Sequence, residues 1–529
     1  MNGHAKPTEH AAPQAPTWTA TVTAMLNRAE ETVRRNKFAT ALIGAGLVIR
    51  VLVEAAYHPA IVYIDSLKYL YGAWPGSDPV GYKVPLKMIL ALGGNLNTVE
   101  AVQHLLGIGM AIAIYAVLVR RGTPRWLAAL AMAPVLFDAY QLQAEAMIMP
   151  DVWFEAVLVA GLAVLLWQKR PTVPMLIIGA ALLGGSTGVK QVGEIMIVPA
   201  LIFAIVLGGG LQKVVVNVTA VLVSFVMAIV LYLGASFALT HHFRLSYSGS
   251  SLTYGRMAGA VNCATLNVPP LVRLLCPTKW EQAQGPDWLE HSGQGPLRSY
   301  ADKLPITLLP EKGTFVSEFN HAVESQQTGR VIGAMLRDDV KLFALTRDTS
   351  PGDTPIWRWQ FHGYFPVYGQ YVSYNTVDHK LYIKLPKQPP IPINRAHGGG
   401  GQAQVDVPIA RFLRSYQIHG GYTPGPLLAL CVLAGLIGSA MLAFRRRITP
   451  AVRDLGVACI TLFSAAAAVL GISDLFEFSW RYQLPGIVIL PAAGALGIAA
   501  IMLVVRRRRQ PAPAQTTSEE LSPEPAQAQ

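Results

Sequence analysis

The sequence predicts an all-α polytopic membrane protein of about ten transmembrane helices, with a mixed extracytoplasmic domain inserted between the seventh and the eighth. Three observations lead there. Of 529 residues, 52% are hydrophobic and 14% charged, against roughly 25% charged in soluble domains. Several apolar runs approach the roughly 20 residues that cross a bilayer. The formal charge of +12 suggests nucleic acid at first sight, but many of the cations flank apolar runs, in RRGTPR, QKRP, AFRRRITP and VVRRRRQ. Positive loop ends on one side of a membrane explain them better than a nucleic-acid groove does.

Residues 1–37 are polar and end in Arg34, Arg35 and Lys37, which makes them a cytoplasmic N-terminal segment. The run that follows holds Arg50 and Glu54 and lacks a small-residue cleavage site, so it reads as a retained anchor and not a signal peptide. Arg50 and Glu54 are spaced i, i+4 and are expected to neutralise each other. Ten runs qualify as spans, near 38–57, 99–119, 126–141, 151–168, 173–189, 192–210, 214–240, 425–444, 451–471 and 483–505. With the N-terminus inside, RRGTPR, Lys169–Arg170, Lys213, Arg445–Arg447 and Arg506–Arg509 all fall inside too. The chain then divides into a membrane module over 38–240, an extracytoplasmic domain over 241–424, C-terminal spans over 425–509 and a tail over 510–529 disordered by composition.

The outer loops receive the exceptions: Lys68, Lys83, Lys87, Lys190 and Arg481, with Asp65, Asp78, Glu145, Asp151, Asp474 and Glu477. Within 241–424, TGRVIGAMLRDDVKLFALTRD places Ile332, Met335, Leu336, Val340 and Phe343 on one helical stripe. The stripe packs on its own domain in the plainer reading and lies on the membrane surface in the sharper one. The aromatic stretch IWRWQFHGYFPVYGQYVSY can pack a core, sit at the interface or stack on sugar rings. AHGGGGQAQ at 396–404 is a connector. Cys263 and Cys276 fall in the polar region and, if it is extracytoplasmic, bridge, which contributes about 3 kcal/mol on the loop-closure account. Cys431 and Cys459 lie in apolar runs as inert core residues.

The stretch YIDSLKYLYGAW, at 63–74, sets Asp65, Lys68, Tyr69 and Trp74 where the first span leaves the bilayer. The longer segment YHPAIVYIDSLKYLYGAWPGSDPVGYKVPLK resembles the GT-C superfamily of polyprenyl-phosphate-sugar-dependent glycosyltransferases, which includes protein O-mannosyltransferases and aminoarabinose transferases. Asp65 and Tyr69 repeat the D-x-x-x-Y spacing of that family's first external loop, a spacing that puts both on one helical face. Lys83-Val84-Pro85-Leu86 resembles its K-P-P-L-like stretch, and Arg481-Tyr482 resembles an Arg-Tyr pair at a similar place; Tyr82 departs from the acidic residue of some relatives.

The resemblance implies transfer of a sugar from a polyprenyl-phosphate donor to an extracytoplasmic hydroxyl on a glycan, lipid or protein, with inversion. Asp65 is the expected base, since a carboxylate at the membrane rim can take the acceptor's proton; its plainer role is to cap a helix or pair with Lys68. Glu145 or Asp151, in the second external loop, would orient the acceptor, although Asp151 can also be an N-cap. Lys83, Lys190, Arg256 and Arg481, with Tyr69 and Tyr482, are the candidates for the lipid phosphate; for the cations the alternative is snorkelling to headgroups. Asp138, Glu155 and His104 read as structural. No cofactor is required and a divalent metal is compatible, because lysines and arginines can neutralise a monophosphate.

No P-loop register, zinc spacing or nucleophile elbow is present in the sequence. The expected setting is a bacterial plasma membrane. The rival is a transporter or flippase of a lipid-linked saccharide, which would place its charges nearer the midplane and show paired halves.

Overall fold

The computed structural model describes residue 27 and residues 30–72, 78–241, 243–245, 249–364, 372–384, 389–392, 404–444 and 448–509. Most of segment 1–37, Trp74, residues 365–371 of the aromatic stretch, 396–403 of the connector, Arg445–Arg447 and the tail from 510 lie outside them.

Nine of the ten apolar runs carry one α-helix each, and the run at 126–141 is divided between two. Ten helices make up the first module, of which three are short or lie between the spans: α1 (Lys37–Ala56), α2 (Ser66–Leu70), α3 (Lys83–Ala91), α4 (Leu96–Arg121), α5 (Arg125–Phe137), α6 (Ala139–Ala146), α7 (Asp151–Leu166), α8 (Val173–Ser186), α9 (Ile197–Val206) and α10 (Leu211–Thr240). Among the described residues, six helices are long and apolar enough to cross a membrane. These are α1, α4, α10 and three C-terminal helices. α5, α7, α8 and α9 have 13, 16, 14 and 10 residues, short of the roughly 20 that cross unaided. The run expected at 126–141 breaks at Asp138, whose backbone turns extended and whose carboxylate accepts from Tyr140 N.

The membrane reading has a surface argument as well. α1 leaves Leu47, Val48 and Val51 uncovered, and α10 leaves Val223, Val226, Met227, Val230 and Leu231 uncovered. Such faces cost free energy in water but none against lipid chains.

The stretch 241–424 is not uniform. α11 (Gly249–Ala260), α12 (Pro286–His291), α13 (Lys312–Gln326) and α14 (Thr328–Lys341) enclose a core of their own around Tyr254, Leu289, Tyr300 and Phe319. The expected Cys263–Cys276 bridge closes this part, with Cα atoms 6.0 Å apart. Beyond α14, Leu342, Ile356, Trp359 and Phe361 join the membrane core instead. Sheet is sparse: β1 (Tyr57–His58) pairs antiparallel with β5 (Gln404–Val405), and β2 (Val372–Asn375), β3 (Lys380–Ile383) and β4 (Ile391–Pro392) form one antiparallel sheet.

α15 (Val407–Ile418) leads into α16 (Gly425–Ala440), α17 (Pro450–Asp474) and α18 (Leu484–Arg509). α18 packs between α16, α17 and α5, and α9 packs on α17, so the two membrane parts form one bundle.

The bundle has two chemically different ends. At one, Arg121 donates to Leu166 O and Gln168 O at 2.8 and 2.9 Å, Lys169 pairs with Asp454 at 3.5 Å, and Arg453 reaches Leu207 O. These contacts bring Arg121, Lys169 and Arg453 to one end of the bundle. The other end carries the site.

Candidate active site

Two local features build the floor of a cavity. After β1 the chain turns through Tyr63, whose N–H donates to Ser66 Oγ, into the short α2 with Asp65 as its first flanking residue. Separately, α8 ends in a glycine-rich turn that delivers Lys190. The two are joined where Gly81 N donates to Gly188 O at 2.9 Å. That approach needs glycine on both strands: a Cβ on Gly81 would lie 2.3 Å from Gly188 O, and one on Gly188 would lie 2.5 Å from the Tyr232 ring.

On this floor six charges alternate in sign. Lys190 Nζ lies 2.8 Å from Asp151 Oδ1, and Arg481 Nε lies 3.0 Å from the same oxygen. Arg481 Nη1 then meets Asp65 Oδ2 at 2.9 Å, while Asp65 Oδ1 meets Lys68 Nζ at 3.1 Å and Lys68 meets Asp78 at 2.8 Å. Aromatic faces back the cations: Lys190 Nζ sits 5.0 Å over Tyr482, and the Arg481 guanidinium 5.1 Å over Trp359. Tyr69 stands edge-on to Tyr82 at 5.0 Å. Burial works against charge on Asp65, but Lys68 and Arg481 outweigh it and hold the carboxyl below its usual range. The second oxygen of Asp151, Oδ2, is buried without a partner.

The floor opens into a cavity of about 860 Å³, lined among others by Asp65, Tyr69, Lys190, Arg481 and Tyr482. Three further carboxyl groups, with a histidine and an arginine, also line it. Asp287, Glu290 and His291 come from α12, Arg358 from the short helical turn Ile356–Trp359 beyond α14, and Glu477 from the loop after α17. Arg358 pairs with Asp287 at 3.2 Å. Burial pushes Glu290 up to about 7 and Glu477 up to about 8. A hydrogen bond to Asp287 lifts His291 to about 9.

Asp65, Tyr69, Asp151, Lys190, Arg481 and Tyr482 therefore meet, from four separate stretches of chain. Three predicted residues do not. Glu145 is fully buried in α6, where Arg50 grips it at 2.7 Å through both Nε and Nη2 and His104 lies 2.9 Å away; it faces the bundle core and not the cavity. Arg50 pairs with Glu145 and not Glu54, because a bidentate fork in the core outcompetes an i, i+4 contact. Arg256 is tied to Asp338 at 2.5 Å and holds α11 to α14. Lys83, half-buried at the start of α3, is not among the residues lining the cavity. Asp138 is structural, as expected: Arg347 grips it at 2.6 and 3.0 Å.

Sequence reading missed Asp287, Glu290, His291 and Arg358. The cluster DWLEH and the Trp-Arg-Trp of the aromatic stretch were the available signals. As for a metal, no group of three His, Cys, Asp or Glu among the described residues is arranged to hold one. Asp65 and Asp151 already face lysine and arginine, so a cation would have to displace those partners.

No protein-family model matches the chain, and no curated protein matches it. Among solved structures it is similar to the S. cerevisiae protein O-mannosyltransferase Pmt1-Pmt2 complex bound to the sugar donor, with 16% identity and a TM-score of 0.33 over 42% of this chain and 36% of that one. It is also similar to the Archaeoglobus fulgidus oligosaccharyltransferase in the apo form, with 11% identity and a TM-score of 0.39 over 89% and 51%. A third is the oligosaccharyltransferase AglB from the same organism in complex with an inhibitory peptide and a dolichol-phosphate, with 12% identity and a TM-score of 0.36 over 90% and 52%. The chain thus spans between a third and about half the length of these proteins.

Proposed function

We propose that the protein is a membrane glycosyltransferase that moves a sugar from a polyprenyl-phosphate donor to a hydroxyl acceptor on the extracytoplasmic side of a bacterial plasma membrane. The observation that carries this reading is the alternation of Lys190, Asp151, Arg481, Asp65, Lys68 and Asp78 on the floor of one cavity at the rim of an apolar bundle. Acids and bases in that order offer both halves of an inverting displacement.

The donor phosphate takes hydrogen bonds from Arg481 and Lys190, which in the free protein are spent on Asp151 and Asp65. Drawing Arg481 towards phosphate loosens its hold on Asp65 and makes that carboxylate more basic. The acceptor oxygen then attacks the anomeric carbon, its proton passes to Asp65, and the carbon–oxygen bond to phosphate breaks. The electron pair leaves on the lipid phosphate, where Arg481 and Lys190 offset the added charge. Tyr69 and Tyr482 shape the pocket around the sugar and phosphate.

The test uses purified protein in lipid nanodiscs with radiolabelled polyprenyl-phosphate sugars and extracted envelope acceptors. Free polyprenyl phosphate should appear, and Asp65→Asn should slow its release by about 10²–10⁴-fold. Unchanged release in that variant would overturn the base assignment. Passage of intact donor across vesicles without bond cleavage would establish a transporter instead.

A further inference from the structure

The stripe on α14 does not do what a helix in a water-facing domain does. Its inner face, Val331 and Ala334, packs into the core of the 249–341 unit. Its outer face is uncovered at successive turns: Ile332 is 49% exposed, Leu336 58% and Val340 65%. Leu345, just past the helix, is 78% exposed. Arg330 and Arg337 stand exposed beside this row.

Where the helix lies follows from what its ends touch. Leu342 and Phe343 at its C-terminus pack into the membrane core. The backbone there presses so close to the first residue of α16 that a Cβ on Gly425 would lie 2.1 Å from Ala344 O. α14 also packs against α17, with Asp339 beside Asp474 at the end of that helix. So α14 is fixed at the ends of two apolar helices, at the rim that holds the candidate site. The neighbouring α16 continues the uncovered apolar surface with Leu427, Leu430 and Leu433.

We propose that α14 is an interfacial helix, laid on the headgroup layer at the rim of the bundle, with Ile332, Leu336 and Val340 dipping into the acyl region. Two features commit the surface to lipid. It runs on without a break in chemistry into the lipid-facing side of α16, and its apolar row is bordered by guanidinium groups that suit anionic headgroups. A helix so anchored fixes the height of α12 and its cavity-lining carboxyls above the bilayer, because α12 and α14 share one core.

The experiment places an environment-sensitive fluorophore at Leu336→Cys and, as an exposed polar reference on α13, at Glu318→Cys, in the full chain in nanodiscs of phosphatidylglycerol and phosphatidylcholine. Lipids carrying a nitroxide high on the acyl chain should quench the Leu336 dye at least twofold more than the Glu318 dye. Aqueous iodide should show the reverse order. Equal iodide access at both sites, without nitroxide quenching at Leu336, overturns the proposal. Protection of Leu336 from both quenchers that grows with protein per disc overturns it in favour of a second copy of the chain. Ile332→Ser/Leu336→Ser/Val340→Ser, read with the dye at Met335→Cys, provides a second arm: nitroxide quenching should fall to the Glu318 level while the unfolding midpoint in detergent stays in place, and unaltered quenching also counts against the proposal.

Discussion

Asp65 and Glu145 are both carboxylates near one rim of the bundle, and their partners give them opposite work. Asp65 holds two cations and keeps a side on the cavity. Glu145 is sealed in, with Arg50 fully engaged upon it. Removing one member of a buried pair leaves a bare charge, so Glu145→Gln should cost about 3–5 kcal/mol in detergent unfolding. Replacing both, as Arg50→Met/Glu145→Leu, should recover most of that loss. Asp65→Asn also removes a partner of Arg481, but its larger effect should fall on turnover, which slows by about 10²–10⁴-fold. The group around Glu290, Glu477 and His291 makes a pH prediction. Glu290, Glu477 and His291 change charge near pH 7, 8 and 9. Two of the steps create an anion and the third removes a cation, so each makes the cavity more negative as pH rises. The donor KM should climb by roughly an order of magnitude between pH 6.5 and 9.5, and Glu477→Gln should flatten the profile.

Elements bring these residues together through close approaches more than through length. Gly81→Ala should push the first loop off the α8 turn, lowering donor affinity at least tenfold in a binding assay, because backbone atoms cannot yield as a side-chain tip does. Gly109→Ala, whose Cβ would meet nothing within 4 Å, is the neutral control. Much of this was readable beforehand. Asp65, Lys190 and Arg481 stand out as charges at the ends of apolar runs, and the hydropathy pattern locates every one of the ten helical runs. What one dimension hides is the choice of partner. Arg50 and Glu145 are 95 positions apart, Arg256 and Asp338 82, and no local spacing announces such pairs. Glu145 and Arg256 therefore looked available when the fold had already engaged them. The same limit applies to α14: periodicity found its apolar stripe but could not say that the stripe faces outward.

At the scale of the molecule, the later part of the 241–424 stretch is bolted to the bundle by Arg347. Its guanidinium grips Asp138 and lies 4.7–5.1 Å from the rings of Tyr140, Tyr422 and Trp480. Asp138→Asn should loosen this clamp, and limited proteolysis should then cut between residues 348 and 404 at least several times faster than in the parent. In the reaction proposed above, the charged floor also governs what happens after transfer. Three cations and three anions cancel there before any substrate arrives. A donor phosphodiester brings one negative charge, whereas the spent lipid phosphate carries about −1.5 to −2 at neutral pH. A floor that welcomes the first will cling harder to the second, so the slow event in each cycle should be the departure of the used carrier, visible as an initial burst followed by a lower steady rate.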